Sequence, residues 1–222
     1  MTRGKAAVVL ATGAVVAALV LGVTSCAGAD SDPSAATAVE TTPAVCTSSS
    51  RASWQKLANE IQAPVYCPTW LPQPLDGRFN GTFNGQTVDP DRSYLIKFLW
   101  FDSGLPGGVN EVHVIFRGYP GNARIPLCDN STLVGGKTVH RLSPCFSDPN
   151  GTKRFGSKVA TLYTSNQGAD QWHLVYAWHH RGSLYSLSEH VVAPYTYKQV
   201  LANLDRMMRT LVRIAPNRGP RS

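Results

Sequence analysis

The sequence predicts an α+β fold: an antiparallel meander sheet of six or seven strands, with an N-terminal helix and a C-terminal helix packed on it. Three observations predict it. From Arg78 to Val191 the apolar residues recur mainly with period two, the repeat of a strand. Turn pairs such as Gly135-Gly136 and Arg181-Gly182 punctuate that stretch at hairpin spacing. On either side of it the repeat becomes helical: Trp54, Leu57, Ala58 and Ile61 before, and Val200, Leu201, Leu204, Met207, Met208 and Leu211 after.

The chain begins with a different kind of pattern. Arg3 and Lys5 precede an uncharged run from Ala6 to Val23, and Val23-Thr24-Ser25-Cys26 closes it. An uncleaved membrane anchor or an ordinary secretory signal would use a similar run. The cysteine directly after two small residues, and just before Ala27-Gly28-Ala29-Asp30, resembles the lipobox of bacterial, actinobacterial-type prolipoproteins. That resemblance implies cleavage after residue 25 and diacylglyceryl and fatty-acyl (palmitate-type) modification of Cys26. It also implies residence on the outer face of the cytoplasmic membrane. More than one acyl chain is needed there, because a single chain binds a bilayer only marginally.

Residues 26–45 are then the lipidated cysteine and a tether of Ala, Ser, Thr, Asp and Pro, too poor in large apolar side chains to form a core. Residues 46–215 are long enough for one extracytoplasmic domain with a proper interior, and residues 216–222 form a basic tail. The formal charge of +7 falls by two when Arg3 and Lys5 leave with the signal. Part of the excess is Arg206, Arg209, Arg213, Arg218 and Arg221, which suit the negative end of a helix or an anionic envelope surface. Nucleic acid is not a sensible partner for an exported chain.

Within the domain, Ser48-Ser49-Ser50 offers N-caps for a helix running through Ala63, which Pro64 ends. The extended segment Pro64-Val65-Tyr66-Cys67-Pro68-Thr69-Trp70-Leu71-Pro72 follows. It resembles a short Pro-rich motif of some extracytoplasmic regulators and lipoproteins, and no function is carried over from it. Tyr94 to Phe101 is apolar on both sides apart from Lys97, as expected of an inner strand. Asn110 to Arg117 alternates, with Val112, Val114 and Phe116 on one face and Glu111, His113 and Arg117 on a polar one. The turn-rich Asp102 to Gly108 joins these two strands as a hairpin. Gly135-Gly136 centres a second hairpin. Lys158 to Thr164 is a further strand. Gln171–His180 and Ser183–Val191 pair so that Trp178 faces Tyr185, Tyr176 faces Leu187 and His173 faces His190. Thr196 and Gln199 form a capping box for a helix from Tyr197 to Ile214. This order of elements is similar to actinobacterial lipoprotein domains of the PsbP/Mog1-like fold, and also to lipoprotein-carrier folds.

Cys46, Cys67, Cys128 and Cys145 are an even set in an exported domain, so disulfides are expected among three possible connectivities. The Gly135-Gly136 turn returns Cys128 opposite Ser143, two places from Cys145. The expected pairs are therefore Cys128–Cys145 and, by elimination, Cys46–Cys67.

Candidate chemistry is sparse. Asp102-Ser103-Gly104 matches an aspartic protease triplet, but that chemistry needs two carboxylates sharing a proton, and no second triplet exists. His173 and His190 face one another, yet two histidines without a carboxylate make a poor metal site. His179 and His180 are adjacent and so point to opposite faces of a strand. Asn80, Asn130 and Asn150 head Asn-x-Ser/Thr triplets that carry no meaning in a bacterial lipoprotein. No catalytic residue, metal ligand or cofactor motif is assigned. The expected role is a non-enzymatic lipoprotein that binds a protein or cell-envelope partner. A carrier of a lipid or small apolar ligand and a hydrolase with a dispersed site are the alternatives.

Overall fold

A computed structural model describes residues 45–75, 82–101, 111–166 and 172–217. The signal, Cys26, the tether up to residue 44, Asn80, the Asp102-Ser103-Gly104 triplet, Arg218 and Arg221 lie outside the described residues. The elements run α1 (Arg51–Ile61), β1 (Val65–Cys67), β2 (Thr82–Val88), β3 (Tyr94–Phe101), β4 (Glu111–Tyr119), β5 (Leu127–Val134), β6 (Lys137–Pro144), β7 (Phe146–Phe155), β8 (Lys158–Asn166), β9 (His173–His180), β10 (Ser183–His190), α2 (Tyr197–Thr210) and β11 (Val212–Ile214). The fold is α+β, with seven antiparallel strands in the order β2-β3-β4-β10-β9-β8-β7. Two hairpin-connected runs, β2 to β4 and β7 to β10, meet where β4 pairs with β10.

Local chemistry explains each helix boundary. Thr196 starts α2 with a reciprocal capping box to Gln199, as the sequence predicts. The helix stops at Thr210, four residues short of the predicted Ile214. Leu211 turns extended, and Val212-Arg213-Ile214 pairs antiparallel with Val65-Tyr66-Cys67. The β-branched Val212 and Ile214 lose less as a strand, and the pairing satisfies their backbone groups. Helix α1 ends at Ile61 rather than Ala63, because Gln62 takes a left-handed conformation and the Ala63 N–H returns to the Ala58 carbonyl. Its Ser50 does not cap through its side chain but donates to the Val45 carbonyl.

Strand alternation gives the sheet two unlike faces. On the first, Ile96, Phe98, Val114, Phe116, Tyr176, Trp178, Tyr185 and Leu187 join Val200, Leu204, Met207 and Met208 of α2 in the main core. Trp54, Leu57, Ala58 and Ile61 of α1 belong to the same cluster. Tyr66 of β1 meets the rings of Trp178 and Tyr185 edge-on at 5.1 and 4.8 Å, so the short β1–β11 ribbon lies over the same face. The ring of Tyr94 lies over Gly118, whose missing Cβ would fall 2.2 Å from it, so glycine is what lets the ring close down on β4.

On the second face a smaller cluster forms from Phe146, Val175, Ala177, Leu184 and Cys145. Strands β5 and β6 form a separate two-stranded ribbon with Cys128 opposite Ser143, the predicted register. The ribbon exposes Leu127, Leu133, Val134, Val139 and Leu142. Its root is tied down by Cys128–Cys145, whose Cα atoms are 4.8 Å apart, and Cys46–Cys67 closes the other predicted pair at 5.4 Å.

Candidate functional site

The densest group of chemically versatile side chains sits on the second face, at one end of the three innermost strands. The β9–β10 register places His173 opposite His190, as the Arg181-Gly182 turn predicts. The β4–β10 register, continued by one residue past Glu189–Val114, puts His113 on the other side of His190. Cross-strand neighbours point to the same face, so His113, His190 and His173 form one row over β4, β10 and β9. His113 thus lies on the face opposite Val112 and Val114, as its alternation with them predicts, and that face is buried here. His113 is 8% exposed, and His173 is 1% exposed. Alternation correctly separates the two faces of β4, but both are covered, and the sequence does not show the covering of the second.

The three rings are close. Their centroids are 4.4 Å apart for His113 and His173, 4.8 Å for His113 and His190, and 5.2 Å for His173 and His190. One nitrogen from each ring lies within 4.8 Å of the other two, and Nε2 of His113 is 2.5 Å from Nε2 of His173. The opposite nitrogens have their own partners. His173 Nδ1 is 3.0 Å from Ser188 Oγ, and His190 Nδ1 is 3.0 Å from the Glu111 carbonyl. His113 Nδ1 is 2.9 Å from Glu111 Oε1, an ion-pair distance although off the line of a good hydrogen bond.

Around the row, Asn166 clamps the His173 backbone, accepting from its N–H and donating to its carbonyl. Burial, with the neighbouring His190 and Lys97, lowers the His113 imidazole to about pKa 3. The same cause, joined by His113, His190, Arg117 and Lys97, holds His173 well below the usual histidine range. Both rings are thus neutral at physiological pH.

The other histidines do not join them. His179 Nε2 meets the Ala123 carbonyl at 2.8 Å, while the ring of the adjacent His180 lies on the first face, 6.4 Å from that of Tyr66. His140 is exposed on the ribbon, 2.7 Å from Asp129.

Two further features are placed by the fold. Gln73, Pro74, Trp100, Pro194, Tyr195 and Gln199 line an apolar groove of about 430 Å³ beside the start of α2. Tyr195 Oη donates to the Gln73 carbonyl across it. On the first face, the fully buried Glu189 accepts from Asn203 Nδ2 at 2.8 Å through Oε1, while Oε2 has no hydrogen-bond partner. Burial pushes its carboxyl up to about 8. Of the basic residues predicted near the C-terminus, Arg206 stacks on Trp70 at 3.9 Å and Arg209 pairs with Asp205, so neither is a freely presented cation.

No known family model matches this chain, and no curated protein or solved structure shows significant similarity to it.

Proposed function

We propose that this chain is an extracytoplasmic lipoprotein, held by acyl chains on Cys26 at the outer face of the cytoplasmic membrane, whose folded domain binds a protein or cell-envelope partner. The observation that carries this reading is the distribution of the cysteines. Of five in the sequence, four close as Cys46–Cys67 and Cys128–Cys145, which fits an oxidising compartment. The one left over is Cys26, the residue that ends the Val23-Thr24-Ser25-Cys26 lipobox.

Cell fractionation with labelled fatty acid tests it. Wild type is expected to take label and sediment with membranes. Cys26→Ala is expected to be unlabelled, and either uncleaved or released. Membrane retention of an unlabelled wild type overturns the reading.

A second reading, a carrier of a small apolar ligand, is favoured by the groove at Trp100 and Tyr195, whose volume and apolar lining are in the range of small-molecule sites. A lipid adduct in native mass spectra that Trp100→Ala removes would select it.

A further inference from the structure

We infer that His113, His173 and His190 form a binding site for a divalent late transition metal, zinc by preference. If His190 donates from Nδ1 to the Glu111 carbonyl, its Nε2 carries a lone pair and no proton. His173 has its Nδ1 beside Ser188 Oγ. Nε2 of His113 and His173 face one another at 2.5 Å in a buried setting, one ring donating a hydrogen bond to the other. A divalent cation that displaces the shared proton to solvent gains both nitrogens as ligands.

The surroundings match what a metal requires of its ligands. Metal-bound imidazoles present one nitrogen to the ion and give the other to a carboxylate, carbonyl or hydroxyl that fixes tautomer and ring orientation. Here His190 and His173 have such partners in the Glu111 carbonyl and Ser188 Oγ, and His113 Nδ1 lies 2.9 Å from Glu111 Oε1. A tetrahedral zinc with Zn–N near 2.0–2.1 Å sets its nitrogens roughly 3.3 Å apart. The present separations, 2.5 Å for one pair and at most 4.8 Å for all, bracket that value. The three ligands stand on adjacent inner strands, which hold them more firmly than loops would.

Ligand type narrows the metal. An all-imidazole set with no thiolate, thioether or carboxylate in it suits Zn²⁺ or Cu²⁺ rather than Cu⁺, Mg²⁺, Ca²⁺ or a two-His-one-carboxylate iron. Three protein ligands leave the fourth tetrahedral position for water or a donor from a bound molecule.

The test uses the full-length chain with both disulfides oxidised, titrated with ZnCl₂ against a competing chelator, with Co²⁺ as a spectroscopic stand-in. Wild type is expected to bind one equivalent, and Co²⁺ to give the intense visible bands of a tetrahedral site. His190 is the most exposed of the three, so His190→Ala is the variant least apt to disturb folding. It is expected to keep the wild-type circular dichroism spectrum and to lose at least about 100-fold in affinity, more than an outer partner costs. Glu111→Gln is expected to lose roughly 10–100-fold. His140→Ala, at the exposed histidine of the ribbon, is expected to change nothing. Absence of stoichiometric binding by wild type overturns the site. So does a His190→Ala protein that binds as tightly as wild type, since the metal would then be sitting on other histidines.

Discussion

The two faces of the seven-stranded sheet are made of the same strands and differ in almost everything else. On the face under α2, successive residues of β10 are Tyr185, Leu187 and Glu189, and those of β4 are Val112, Val114 and Phe116. On the opposite face the same strands present Ser186, Ser188 and His190, and His113, Ile115 and Arg117. Burial is high on both at the inner strands, so covering alone does not distinguish them. The difference is how polar groups are compensated. On the second face the histidines, Ser188, Asn166 and Glu111 partner one another. On the first face the Glu189 carboxyl stands among hydrocarbon with one oxygen bonded and, among the described residues, one not. The period of two thus lets one set of strands carry the main core and a polar cluster back to back, with little need for either to compromise the other.

Substitution of a first-face anchor is the strongest way to break this comparison. Leu204 is fully buried at the centre of the α2 stripe, in the cluster that joins both helices to the sheet. Leu204→Asp places an unpaired carboxylate there, at a cost of about 5 kcal/mol, comparable to the whole stability of a small domain. The protein is expected to be unfolded or to melt at least about 15 °C lower. A melting temperature within a few degrees of wild type would show that α2 does not bury this face.

On the second face the corresponding brace is covalent. Cys128–Cys145 joins the ribbon root to the smaller cluster across 17 residues of sequence. Chain entropy assigns a loop of that length about 3 kcal/mol, so the double variant Cys128→Ala with Cys145→Ala should unfold at clearly lower denaturant concentration. The slope of the transition tells which part responds. A cooperative transition with unchanged slope means that the ribbon and sheet unfold as one, whereas a lower slope means that the ribbon is already loose.

Much of this architecture was legible in the sequence because local signals carried it. The capping box at Thr196 and Gln199, the Gly135-Gly136 and Arg181-Gly182 turns and both disulfides are consequences of residues close in the chain. The pairing of His173 with His190 is of the same kind. The third histidine is not. His113 reaches the row only because β4 pairs with β10, strands more than sixty residues apart, and no turn specifies that register. The short β11 was hidden for another reason. Leu211 continues the apolar spacing of α2, and the partner that draws Val212–Ile214 into a strand lies at Val65–Cys67, far away in sequence. Periodicity reports which side of an element is apolar; it does not report which distant strand will lie beside it.

The smallest expected effect concerns the buried Glu189 carboxyl of the first face. Glu189 has its carboxyl pushed up by burial from the ordinary 4.5 to about 8, so the native state keeps a proton that the unfolded chain gives up in mild acid. For an acid raised in this way, stability is full below the unfolded value and falls as pH rises from about 4.5 to about 8. Glu189→Gln removes that dependence while keeping the shape and an oxygen for Asn203 Nδ2. Its amide would stand where Oε2 now lies without a hydrogen-bond partner, which takes back part of the gain. The net expectation is a stabilisation of about 1–2 kcal/mol at pH 7.5 and none, or a slight loss, at pH 4.5. Denaturant unfolding of both proteins at the two pH values measures it. An equal difference at both would mean that Glu189 does not exchange a proton on unfolding, and that Asn203 holds the carboxylate charged within the core.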